Sequence, residues 1–136
     1  MNKHVVSRII CKRLKALGVK QDSQFYWVKS KKRTTGTDAS GWSYYWRLLS
    51  ADKIRPVMEI VSAFLASELG EMLPETIIRH HKKLFLQISK FDGVYFVIYL
   101  DIENVLDQTK HWDSRNLADA LGLMLEYLIK NKLITI

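Results

Sequence analysis

The chain has 136 residues, 48% hydrophobic and 11% aromatic, enough for one core that buries roughly two-thirds of the unfolded surface. Its net charge of +7 is split unevenly: residues 1–55 carry 13 Lys/Arg against 3 acids and residues 56–136 carry 8 against 11. That asymmetry points to a polyanion, a membrane surface or an acidic protein as the contact. No apolar run approaches the roughly 18–20 residues of a membrane span, and charge interrupts the first ten residues too soon for a signal-peptide core, so a cytoplasmic location with no membrane span is expected. The single Cys11 excludes an internal disulfide and a cysteine zinc cage.

Ser7 reads as the N-cap of a helix over about 8–17, with Ile10, Leu14 and Leu17 on one stripe and Gly18 at the C′ position. Arg8, Lys12, Arg13 and Lys15 form its outer face. Residues 24–30 and 42–49 are rich in aromatics and bounded by turn formers, which predicts a hairpin spanning 24–49. Period-two alternation puts Trp42, Tyr44, Trp46 and Leu48 on one face, and Phe25 and Trp27 opposite in sense to Tyr26 and Val28. The connection 31–41 far exceeds the usual two to five hairpin residues and is expected to be a long mobile loop.

Residues 53–73 admit two readings. Val57, Ile60, Val61, Phe64, Leu65, Leu69, Met72 and Leu73 fit the stripe of one long helix, whereas a strand at 58–62 would leave a shorter helix over 65–73. Either version stops before Pro74, which excludes helical backbone from its predecessor. Glu68 and Glu71 are expected on the solvent side, and Gly70 at a close approach of a neighbouring element.

Residues 84–101 make a second hairpin. A two-residue Asp92-Gly93 turn would pair Ile88 with Val97 and mix apolar with polar residues on both faces. A three-residue Phe91-Asp92-Gly93 loop pairs Ile88 with Phe96 and gathers one apolar face, so that register is predicted, with Gly93 at positive φ. Residues 114–131 form an amphipathic helix capped by Asp113 or Ser114, with Leu117, Leu121, Met124, Leu125 and Leu128 inside and Asp119, Glu126 and Lys130 outside. Leu133, Ile134 and Ile136 are too apolar for a free tail. They are expected to return to the core or to meet a second subunit. The whole is a single α+β domain over 1–136, a layer of antiparallel strands packed against two to three helices.

Three blocks carry a resemblance: Leu17-Gly18-Val19-Lys20-Gln21-Asp22-Ser23-Gln24-Phe25-Tyr26-Trp27, then Ala66-Ser67-Glu68-Leu69-Gly70-Glu71-Met72-Leu73-Pro74, then Leu117-Ala118-Asp119-Ala120 with Met124 to Leu133. In this order they resemble small uncharacterised proteins encoded on prophages and mobile elements of gut bacteria. Such proteins often have Ala-Pro-Thr where this chain has Ala63-Phe64-Leu65, which leaves open whether 57–64 is extended. The resemblance implies a mobile-element setting and transfers no catalytic residue.

The chemistry-bearing residues are sparse. Glu68 and Glu71 lack further ligands nearby, the adjacent His80 and His81 diverge in an extended chain, and Asp113 reads as a helix cap rather than an orienter of His111. No nucleophile motif or phosphate loop is present, so no enzymatic activity, cofactor or metal site is expected. Two functional expectations remain. One is an accessory protein acting through protein contacts, as a homodimer or with another partner, using Leu133, Ile134 and Ile136. The alternative is weak, sequence-independent nucleic-acid binding by Lys29, Lys31, Lys32 and Arg33 beside the rings of Trp42, Tyr44 and Tyr45, framed by Trp27 and Trp46. Against the latter, strand aromatics are usually core.

Overall fold

A computed structural model describes residues 5–33, 42–55, 59–104 and 107–135, with Lys32, Arg33 and Trp42 described by their main chain alone. The Ile10 and Leu14 stripe folds Arg8–Ala16 into helix α1. At its end Gly18 turns left-handed, φ 92°, and the Gly18 and Val19 N–H groups return to Lys15 O and Leu14 O. This Schellman ending lays apolar Val19 back against the core. Ser7 occupies the N-cap position without a side-chain cap bond; its N–H donates to Asp119 Oδ1 at 2.6 Å instead.

The aromatic segments form β1 (Phe25–Arg33) and β2 (Trp42–Ser50), antiparallel from Phe25↔Ser50 to Arg33↔Trp42, as expected. Lys31, Lys32 and Arg33 belong to β1 rather than to the connecting loop, because the main-chain ladder continues through them; the rest of that loop, 34–41, lies outside the described residues. Of the two readings of 53–73, the extended one holds. β3 (Ile60–Ser62) pairs with the other edge of β1, Tyr26↔Ser62 to Val28↔Ile60, and α2 (Ala66–Met72) follows. The open ladder of β1 supplies hydrogen bonds that outweigh the helical pattern of 60–64. Residues 56–58 lie outside the described residues.

The second sheet contains β4 (Thr76–Arg79), β5 (Lys82–Phe91), β6 (Val94–Leu100) and β7 (Trp112–Ser114) in that spatial order. The chain is thus α+β as expected, with its strands divided between a three-stranded and a four-stranded antiparallel sheet rather than one layer.

The predicted register of the 84–101 hairpin is corrected. Ile88 pairs with Val97, not Phe96, and Asp92 and Gly93 form a two-residue turn with φ of 50° and 75°. Two positive φ values match the type I′ turn, whose twist suits paired strands, and Asp-Gly is its preferred sequence. The inward face is consequently Leu84, Leu86, Val97 and Tyr99, while Phe85, Phe96, Ile98 and Leu100 face outward. Tyr99 qualifies as core because its hydroxyl donates to Pro74 O at 2.6 Å, which satisfies the one polar group it buries.

Helix α3 (Leu117–Lys130) is the central element, packed by α1, α2 and the inner face of the four-stranded sheet. Asp113 and Ser114, expected as its cap, lie in β7. The cap is Asn116, whose Oδ1 accepts from Ala118 N–H at 3.0 Å, since the chain becomes free to turn only after β7 ends. Glu126, expected outside, is buried at 7% exposure, its carboxylate 2.7 Å from Arg13 Nε and 3.5 Å from Lys130 Nζ. One cluster of buried residues joins the helices and both sheets, running from Ile10, Cys11 and Leu14 through Val61 and Leu69 to Val97, Tyr99 and Leu125. No helix among the described residues is long and apolar enough to cross a membrane.

Candidate nucleic-acid interface

Past Lys29, whose N–H donates to Glu59 O, β1 is paired only with β2 among the described residues. The described residues beyond it form a two-stranded ladder, the arm. The register Lys29↔Trp46 and Lys31↔Tyr44 places these four residues on one face of it. Tyr44 is 65% exposed, with Lys29 Nζ 5.0 Å from its ring centroid and 3.8 Å from Glu59 Oε2. Trp46 is half-buried against the core, and Arg8 Cζ and Lys12 Nζ stand 5.0 and 4.9 Å from its ring. These are distances at which cations are held by aromatic faces. On the arm's other face Tyr45 is also exposed, and Arg47 Nε donates to Ser30 Oγ at 2.9 Å. A recess of about 660 Å³ beside the arm is lined by Lys29, Lys31, Tyr44, Arg47 and Glu59 among others.

The expected site residues are thus partly assembled. Lys29, Lys31, Tyr44 and Tyr45 are brought together on the arm, with Lys32, Arg33 and Trp42 continuing it along the ladder. Trp27 is not available: its Nε1–H donates to Val6 O at 3.0 Å and its ring packs on the core. Arg8 and Lys12 belong to the surface although the sequence pattern did not join them to it. Their signal was the four-residue spacing that puts both on one helix face. Arg13 and Lys15 are used structurally, on Glu126 and on Ile60 O at 2.8 Å.

The C-terminal candidates lie elsewhere. Lys132, φ 56°, forms a second Schellman ending, with Leu133 N–H returning to Leu128 O, so Leu133 and Ile134 pack onto the core. Together with Val19, Met72, Pro74 and Ile77 they line an apolar groove of about 830 Å³. Ile136 lies outside the described residues.

The remaining chemistry-bearing groups are structural or exposed. Burial pushes the Cys11 thiol up to about 12, so it stays protonated and does not act as a nucleophile at neutral pH. Glu68 is not a solvent-face residue: its Oε1 accepts from Ser23 Oγ at 2.7 Å and Leu65 N–H at 2.8 Å, its Oε2 from Gln24 N–H. These bonds tie the chain before β1 to the start of α2. Gly70 has no neighbour within 4 Å of where a Cβ would stand, so the expected close approach there is absent. His80 and His81 form the exposed β4–β5 turn, both at positive φ. Among the described residues no three His, Cys, Asp or Glu side chains gather as a metal site.

No protein-family model, curated protein or solved structure matches the chain. Among the described residues, Arg8, Lys12, Lys29 and Lys31 share one surface of α1 and the arm with the rings of Tyr44 and Trp46.

Proposed function

We propose that the protein is a non-enzymatic factor that binds single-stranded nucleic acid without sequence preference through α1 and the β1–β2 arm. The observation that carries this is Tyr44, an exposed ring beside Lys29 on an arm whose same face leads through Lys31 and Trp46 to Arg8 and Lys12. A flat exposed ring offers stacking to any base, and flanking cations neutralise phosphates; neither reads sequence. The charge surplus of residues 1–55 adds long-range attraction for the same ligand.

Fluorescence anisotropy with a labelled mixed-sequence DNA or RNA oligonucleotide tests this. Binding is expected at low salt and weakens as salt rises. Replacing Lys29 and Lys31 by Ser lowers the slope of log affinity against log salt by about 0.7 for each phosphate that is no longer neutralised. Tyr44→Ala weakens binding by about 1–3 kcal/mol with circular dichroism unchanged. If the oligonucleotide does not bind at low salt, or binds equally well when Lys29, Lys31 and Tyr44 are all replaced, the reading is wrong. Action through protein contacts, the other expectation, is favoured at a different place, the edge strand β4 and its apolar groove.

A further inference from the structure

Strand β4 ends the four-stranded sheet and has no neighbour on its outer side among the described residues. Its ladder to β5 runs through odd-numbered positions. Leu86 N–H donates to Glu75 O at 2.8 Å, and Ile77 and Arg79 stand opposite Leu84 and Lys82. Hydrogen-bonded pairs recur at every second residue of an antiparallel ladder, so Thr76 and Ile78 turn their N–H and C=O groups outward. β4 is short, four residues ending in Arg79, but contains no lysine, proline or bulge to blunt its free edge. Ile78 is 64% exposed, and the groove lined by Val19, Met72, Ile77, Leu133 and Ile134 runs along this edge. An open ladder beside an apolar groove is suited to an added strand.

We propose that this edge pairs with the same edge of a second copy of the chain, antiparallel about a two-fold axis at Ile77. Such a self-pair is isologous and closes on itself. With Ile77 on the axis, Thr76 of each copy exchanges both main-chain bonds with Ile78 of the other. A register centred on Thr76 would set Ile78 against Pro74, which has no N–H, and one centred on Ile78 would set Thr76 against His80 in the turn. The favoured register also puts Glu75 opposite Arg79 of the second copy, twice. Glu75 is exposed and has no ion-pair partner among the described residues. Arg79 uses Nη1 on Gln108 O at 2.9 Å and keeps its other donors. This charge match selects a second copy over an unrelated strand. The two Ile77 side chains meet on the axis, the grooves join, and the sheets become one of eight strands. The inference rests on the protein-contact reading and is independent of the arm, which lies on the other sheet.

Sedimentation velocity of the full chain over a concentration series is the test, with a monomer–dimer equilibrium expected. Ile78→Pro removes one outward N–H without touching the β4–β5 ladder, and abolishes the dimer with circular dichroism unchanged. Glu75→Arg and Arg79→Glu each weaken association roughly tenfold or more, since each sets like charges opposite, and the double exchange restores it. A monomeric wild-type chain overturns the inference, as does a dimer that persists in Ile78→Pro or fails to recover in the double exchange. A labelled peptide of alternating Val and Thr then separates the cases. If it binds a monomeric wild-type chain but not Ile78→Pro, self-pairing fails and the protein-contact reading stands; if it does not bind, both fail.

Discussion

Glu126 shows how one helix residue changes role once its neighbours are in place. Its carboxylate is nearly enclosed, and Arg13 Nε at 2.7 Å is the closer of its two cations. Removing Arg13 leaves a desolvated charge with only the more distant Lys130, so Arg13→Ala is expected to cost about 2–3 kcal/mol, read as a lower urea midpoint. Lys15→Ala, at an exposed bond to Ile60 O, should cost well under that. The sequence marked Glu126 as an outer position because helical periodicity describes one helix alone. Here α1 crosses that face and brings its own cation. Glu68 follows the same logic: the pattern placed it on a helix face, while the segment before β1, distant in sequence, supplies the donors that hold it.

At the level of elements, α1 and α3 are held close by the absence of a side chain at Gly122. A Cβ there would stand 3.0 Å from Ile10 Cγ2 and 3.3 Å from Val6 Cγ1. Gly122→Ala gains up to about 1 kcal/mol in helix propensity but overpacks the contact by about 1–3 kcal/mol. A net loss near 1 kcal/mol is expected, seen as a thermal midpoint lower by several degrees. The existence and approximate limits of α1, β1, β2, β5, β6 and α3 were legible, because each has strong periodicity or composition and clear stops. The register of β5 and β6 was not. Apolar residues occupy both faces of that hairpin, so the face pattern discriminates weakly and the Asp92-Gly93 turn decides. β4 and β7 escaped notice because they are short and owe their form to neighbours already in the sheet. The exposed rings of the arm were legible as candidates, but that Trp27 would be core depended on Val61 of β3, distant in sequence, pairing opposite it.

For the molecule as a whole, one core carries two acidic protons that burial holds in place. The Cys11 thiol, ordinarily near 9.0, is pushed up to about 12, and burial likewise raises the Tyr99 phenol above its ordinary 10.0. Both groups bind their protons more tightly folded than unfolded, so the stability they contribute is full below about pH 9 and is lost as pH rises toward 12. Urea midpoints measured from pH 8 to 11 should therefore fall, and Cys11→Ala should remove the part of the fall that begins near pH 9. A further consequence lies in the span of the contacts that fix the first helix. Ser7 N–H bonds Asp119, Asn116 Nδ2 bonds Val5 O, and Arg13 meets Glu126, with partners separated by 111 to 113 positions. Closing so long a segment precedes any reward from these contacts. While the chain is being made, α1 therefore emerges well before α3. Its Ile10, Cys11 and Leu14 stripe is fully covered only once α3 has left the ribosome, and until then stays partly open to solvent and to chaperones.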